Sequence, residues 1–277
     1  MSKQYTVEDL LFLMSQLRDP ENGCPWDRKQ TFNSIVPYTL EEVYEVVDAI
    51  EKEDYPHLKE ELGDLLFQVI FYAQMGKEKS LFDFNDIVHK LVSKLVRRHP
   101  HVFPNGELQK AGTTPPLSET EIKGTWEKIK QQERDEKGLQ EDHYEGLLDD
   151  IPRALPALQR AEKLQKRAST VGFDWPETDQ VLDKIEEEIQ ELREALREGS
   201  IENVQDELGD VFFAMTNLSR HLGIKSEQAL RGTNQKFERR FNYIQTSLQE
   251  NNQTLQDATL DEMETLWQKA KQFEKRG

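Results

Sequence analysis

The sequence predicts an all-α protein made of two tandem copies of one helical unit. Three observations carry that reading. Charged residues fill 32% of the 277 positions, with only 14 Gly and 11 Pro, a mix dominated by helix formers. Runs of β-branched and aromatic residues alternating at period two are hard to find, so almost no sheet is expected. The third observation is a self-match. Shifted by 146 positions, residues 41–67 (EEVYEVVDAIEKEDYPHLKEELGDLLF) fall on 187–213 (EEIQELREALREGSIENVQDELGDVFF) without a gap, and nine of the 27 pairs are identical.

The identities include every acid of the pattern E-E-x-x-E-x15-E-x-x-D. Two further echoes follow in the same order: KLVRR (94–98) answers KFERR (236–240), and TWEKIK (125–130) answers LWQKAK (266–271). Three ordered matches indicate a duplicated unit. The stretch QQERDEKGLQEDHYEG is polar and poor in apolar anchors, so it reads as an exposed connector. The expected division is an N-terminal unit at 1–133, a connector at 134–150 and a C-terminal unit at 151–277.

Capping signals place the helices in order. Thr6, with Asp9 three residues on, opens the first. Thr39 precedes the first glutamate cluster, and Asp83 precedes the helix that carries Lys94, Arg97 and Arg98. Pro100 and Pro104 end that helix, and residues 103–116 form a loop. Ser118-x-x-Glu121 and Thr259-x-x-Glu262 read as capping boxes for the two Trp-containing helices. In the second copy Thr178 and Ser200 cap a pair of acidic helices, and a turn near 198–200 lets them pack antiparallel. The cationic helix there continues through RRFNYIQTSLQE.

Composition also excludes classes of function. A formal net charge of −17 argues against non-specific binding to nucleic acid or an anionic membrane. The single cysteine, Cys24, rules out an intrachain disulfide. No apolar run approaches the ~20 residues needed to span a bilayer, and the N-terminal stretch lacks a secretory signal pattern. A cytoplasmic protein is expected.

Residues three or four apart on a helix share a face. Glu187, Glu188 and Glu191 therefore form one acidic ridge, and Glu207 and Asp210 form another on the next helix. Glu41, Glu42 and Glu45, then Glu61 and Asp64, repeat the arrangement. The second ridge runs beside an apolar stripe, Leu208, Val211, Phe212 and Met215, matched by Leu62, Leu65, Leu66 and Val69. Carboxylates gathered in a partly dry setting repel one another unless protonated or bound to a cation. Hard oxygen-seeking ions such as Mg²⁺ or Mn²⁺ suit them. No E-x-x-H is present, which weakens a di-iron reading, and no Cys/His group suits zinc. An acidic run on one helix is usually a solvated face; the same spacing twice shifts the balance to function. Each E-L-G-D also sets a glycine inside a helix, at about 1 kcal/mol relative to alanine. The expectation is that Gly63 and Gly209 admit a neighbouring backbone.

Cations and aromatics complete the pattern. Lys236 and Arg240 share a helix face and can grip phosphate oxygens, with Lys271 four residues after Trp267. Lys94, Arg98, Trp126 and Lys130 are the matching set.

With these residues in place, the sequence resembles the MazG-type nucleoside triphosphate pyrophosphohydrolases over essentially its whole length, as two tandem MazG units. Glu41, Glu42, Glu45, Glu61 and Asp64, then Glu187, Glu188, Glu191, Glu207 and Asp210, match the family's metal motif. CPWD (24–27) and RRHPHVF (97–103) resemble the N-terminal unit of long bacterial members. The resemblance implies helical-bundle units completed by homodimerisation. It also implies Mg²⁺-dependent cleavage of NTPs or dNTPs to NMP and pyrophosphate, with loose base preference, in nucleotide-pool control or house-cleaning; Mn²⁺ is the natural substitute ion. Glu188, Glu191, Glu207 and Asp210 would hold the metal, and Glu187 or Glu188 would orient or deprotonate the attacking water. Lys236, Arg240 and Lys271 would neutralise the leaving pyrophosphate, and Trp267 would stack on base or ribose. The second copy is the expected main catalyst. The competing reading is a non-catalytic helical scaffold or nucleotide-sensing regulator.

Overall fold

The computed structural model describes residues 4–110, 118, 121–122, 124–126, 129, 132–133 and 146–274. Among the described residues every regular element is helical. Contacts divide the chain into two compact units, Met1–Asp135 and Glu136–Gly277. Most of the expected connector, residues 134–145, lies outside the described residues.

In the first unit, α1 (Val7–Leu17), α2 (Pro25–Lys29), α3 (Val36–Glu51), α4 (Tyr55–Glu78) and α5 (Phe84–Arg98) are followed by two short 3₁₀ turns, Pro104–Gly106 and Leu108–Lys110. The second unit holds α6 (Ala157–Ser169), α7 (Thr178–Glu198), α8 (Ile201–His221), α9 (Ser226–Glu250) and α10 (Leu260–Glu274). In both units the two acidic helices form the main hairpin: α3 packs on α4, and α7 on α8. The helix preceding each hairpin packs against its second arm, α1 on α4 and α6 on α8. The duplicated sequence thus folds into a duplicated arrangement.

Local chemistry explains where the helices begin and end. Thr6 and Asp9 make a reciprocal capping box, as do Asp83 and Asp86. Ser118 with Glu121 and Thr259 with Glu262 make the expected side-chain exchanges, and Ser200 caps α8 by accepting from Asn203 N. The tight turn of the second hairpin is made by Gly199 at φ +77°, a left-handed conformation that costs glycine little. Two expected caps are displaced. Helix α3 begins at Val36, with Pro37 in its first turn, which puts Thr39 inside it. The Thr39 hydroxyl instead donates to Ile35 O and meets Tyr72 Oη at 3.1 Å. At α7 the capping role falls to Glu177, paired with Gln180, one residue before Thr178.

The first unit's core gathers Met14, Ile35, Ile70, Phe71 and Met75, with Leu10, Leu11, Phe32 and Phe67 around them. In the second unit Val181, Ile185, Ala195, Ala214, Ile244 and Leu248 are buried. The stripe beside the second acidic ridge behaves differently. Leu208, Phe212 and Met215 are exposed, as are Leu62 and Leu66 in the first unit. The exposed apolar residues keep a seven-residue interval: Leu182, Ile189 and Leu196 on α7, and Ile201, Leu208 and Met215 on α8. The first hairpin repeats the register with Val36, Val43 and Ile50 on α3 and Tyr55 and Leu62 on α4. A seven-residue period keeps a seam on one side of a helix, as in coiled coils.

The two hairpin glycines correct an expectation. A Cβ built on Gly63 or Gly209 meets no atom within 4 Å. Among the described residues of one chain neither glycine is needed for helix–helix approach.

Candidate active site

Each acidic hairpin brings carboxylates from both of its arms together. In the second unit Glu188 from α7 and Glu207 and Asp210 from α8 can place one oxygen each within 4.8 Å of one another. In the first unit Glu42 and Glu45 from α3 and Glu61 from α4 do the same. Register explains the convergence: Glu207 and Asp210 are three apart on one face of α8, and the antiparallel turn at Gly199 brings that face opposite Glu188. Glu191 stands beside the second cluster, hydrogen-bonded to Glu188. In the first, Asp64 is close enough to repel Glu42. Glu41 and Glu187 are exposed.

Burial differs within each cluster and sets its electrostatics. Glu188 and Glu61 are buried, while Glu207 and Glu42 are half-buried. Loss of water, followed by repulsion from Asp210 and Glu188, raises the Glu207 pKa above the ordinary carboxylate value. Loss of water and then Glu188 do the same to Asp210. Glu191 is raised by desolvation and by its hydrogen bond with Glu188, and Glu42 by desolvation, Asp64 and Glu45. Carboxylates whose charged forms are disfavoured in this way gain most from a shared cation. The donor set is all oxygen, multidentate and partly buried, and it fits a hard divalent ion.

Two basic side chains missing from the sequence reading stand at these clusters. Lys184 Nζ lies 2.7 Å from Glu187 Oε1 and 2.8 Å from Glu188 Oε1. Accepting from it, these two glutamates hold the lysine's proton more tightly than usual. In the first unit His57 Nε2 lies 2.6 Å from Glu61 Oε1. Both pairs are four residues apart on one helix, so the i,i+4 spacing was their signal. The repeat partners differ: the 146-residue shift sets Tyr38 against Lys184 and Asn203 against His57.

The expected cationic residues lie on other helices, α9 and α10. Arg240 Cζ lies over the Trp267 ring, 5.4 Å from its centroid. Lys236 and Lys271 are half-buried. Arg240 is already engaged by Glu274, which the sequence reading missed: Nε donates to Oε2 at 2.8 Å. In the first unit Glu133 takes Arg97 at 2.5 Å and Arg98. Those hydrogen bonds, Arg98's foremost, hold the Glu133 carboxyl down at about 2. Trp126 stands edge-on to the His99 ring at 5.1 Å. Lys94 is exposed, and Lys130 lies outside the described residues.

The MazG nucleotide pyrophosphohydrolase domain model matches this chain twice, over residues 30–103 and 177–244. Each match contains one acidic hairpin and the cationic helix that follows it, the whole of α5 in the first and α9 as far as residue 244 in the second. The chain belongs to the MazG family. It is 48% identical over 270 residues to the nucleoside triphosphate pyrophosphohydrolase of Escherichia coli K12, covering 97% of this chain and 98% of that one. Identity is 40% over 264 residues to the Thermotoga maritima nucleoside triphosphate pyrophosphohydrolase/pyrophosphatase MazG, with 95% of both chains covered. The uncharacterized YabN protein of Bacillus subtilis is 41% identical over 265 residues, spanning 95% of this chain and 51% of its own. No described helix is long and apolar enough to cross a membrane.

Proposed function

We propose that this MazG protein hydrolyses nucleoside triphosphates to the monophosphate and pyrophosphate, with the second hairpin as its main catalytic site. The observation that carries the reading is the convergence of Glu188, Glu207 and Asp210 from two helices, inside a chain matched end to end by pyrophosphohydrolases of the family. Glu188, Glu207 and Asp210, with Glu191 alongside, would hold Mg²⁺, with Mn²⁺ as the substitute ion. When bound, the ion screens the triphosphate and lowers the pKa of coordinated water. Glu188 is committed to the cluster, so Glu187 on the solvent side is the residue placed to orient the attacking water. Arg240, Lys236 and Lys271 meet charge on the leaving pyrophosphate. Trp267 offers a face that every base can use, which supports loose base preference and a house-cleaning role. The first cluster, Glu42, Glu45 and Glu61, is the second site.

The functional form is a homodimer paired through the hairpins. Their exposed apolar seams at seven-residue intervals are the supporting observation. Pairing one hairpin with another covers both seams in a four-helix arrangement.

The deciding experiment incubates the purified chain with a panel of NTPs and dNTPs plus Mg²⁺ and identifies products. NMP appearing together with pyrophosphate is the expected result. NDP and orthophosphate appearing first points to a stepwise phosphatase, and no turnover of any nucleotide supports a non-catalytic helical scaffold.

A further inference from the structure

Arg240 is fixed from two directions. Glu274 accepts from Arg240 Nε at 2.8 Å and stands 2.6 Å from its Nη2, so one edge of the guanidinium fork is committed. The Trp267 ring lies against its face. Phe237 is tilted against that ring, with centroids 5.3 Å apart and planes at 54°, and stacks in turn on Phe241 at 6.0 Å with the planes 9° apart. The Arg240 side chain is only 16% exposed. Arg239 approaches the other Glu274 oxygen at 3.4 Å, so two arginines share one carboxylate and the trio keeps a net positive charge. The Arg240 hydrogen bond holds Glu274 below the ordinary carboxylate pKa, and it stays ionised at neutral pH.

The first unit is built alike. Glu133, seven residues after Trp126, takes Arg97 and Arg98, residues that KLVRR and KFERR align with Arg239 and Arg240. A carboxylate therefore lies seven residues after the tryptophan in both units.

We propose that Glu274 is a positioning residue for substrate: it holds the Nε–Nη2 edge of Arg240 so that the Nη1 edge meets the triphosphate. This rests on the reading that Arg240 contacts the triphosphate. A free arginine side chain carries a large rotamer entropy. Ordering it before the ligand arrives removes that cost from binding. The alternative, a carboxylate competing with phosphate for Arg240, predicts the opposite change in affinity.

The test is steady-state pyrophosphate release by the full chain with Mg²⁺ over a range of nucleotide concentrations. It compares wild type, Glu274→Ala, Glu274→Gln, Arg240→Ala and the double variant Arg240→Ala/Glu274→Ala, with melting temperatures measured on each. Glu274→Ala raises KM about tenfold while kcat stays within about twofold. Glu274→Gln raises it less, because the amide oxygen still accepts from Arg240. The double variant is no worse than Arg240→Ala, as required if Glu274 acts only through Arg240. An unchanged or lowered KM in Glu274→Ala overturns the proposal, as does additivity in the double variant. If Arg240→Ala itself leaves KM unchanged, the reading of Arg240 falls and takes the proposal with it. If Arg240→Ala raises KM and Glu274→Ala does not, only the proposal falls.

Discussion

Lys184 Nζ stands 2.8 Å from Glu188 Oε1, one helical turn further along α7, so the helix itself supplies a cation to its acidic cluster. The aligned position in the first unit is Tyr38. Without the lysine, Glu188, Glu207 and Asp210 would face one another with less compensation. Lys184→Met should therefore melt earlier than wild type in EDTA, by the few degrees that about 0.5–1 kcal/mol represents. Mg²⁺ should raise its melting temperature more than it raises that of wild type. Identical melting in EDTA would make Lys184 a bystander.

The two clusters offer similar ligands, and the assignment of activity to the second is open to a direct comparison. Glu188→Gln should lower turnover about 100-fold or more, the scale expected when a group that holds the catalytic ion is lost. Glu42→Gln should leave most of it. Activity lost with Glu42→Gln and kept with Glu188→Gln would reverse the assignment.

Much of the fold and site was legible because it is local. The i,i+3 and i,i+4 acids, the caps at Thr6, Asp83 and Ser200, and the end of α5 at Arg98 depend on neighbours in sequence. What sequence did not show depends on partners far along the chain. Nothing near Arg240 in sequence announces Glu274, which lies 34 residues away. The stripe of Leu208, Phe212 and Met215 has the spacing of a core face and is exposed, because a hairpin offers two sides and periodicity does not say which one the same chain covers. Thr39 looked like a cap, but Pro37 two residues earlier opens the helix. Lys184 and His57 were within local reach at four residues from Glu188 and Glu61.

Acid should act on the first unit through Glu133. Its folded-state pKa of about 2 lies below the ordinary 4.5. For a depressed carboxylate the stabilisation is complete above the unfolded value and is lost as pH falls towards the folded one. The wild type should lose stability on acidification from about pH 4.5 to pH 2 more steeply than Glu133→Gln, followed by denaturant titration at each pH. Equal slopes would show that the Arg97 and Arg98 contacts do not couple to folding.

Gly209 lies one turn from Phe212 and Phe213, both exposed, and its missing Cβ points into open space within the chain. The glycine therefore brings no packing benefit inside one molecule that would offset the ~1 kcal/mol it costs in a helix. In the proposed dimer its benefit would fall on the side where a second hairpin pairs, since a residue without Cβ admits a close backbone. Gly209→Leu should leave helix content unchanged by circular dichroism, because an added Cβ meets no described atom within 4 Å beyond its own helix backbone. It should shift the protein from dimer to monomer in light scattering after size exclusion, and lower turnover in step with the loss of dimer. A Gly209→Leu dimer of undiminished affinity would remove the glycine from the pairing face.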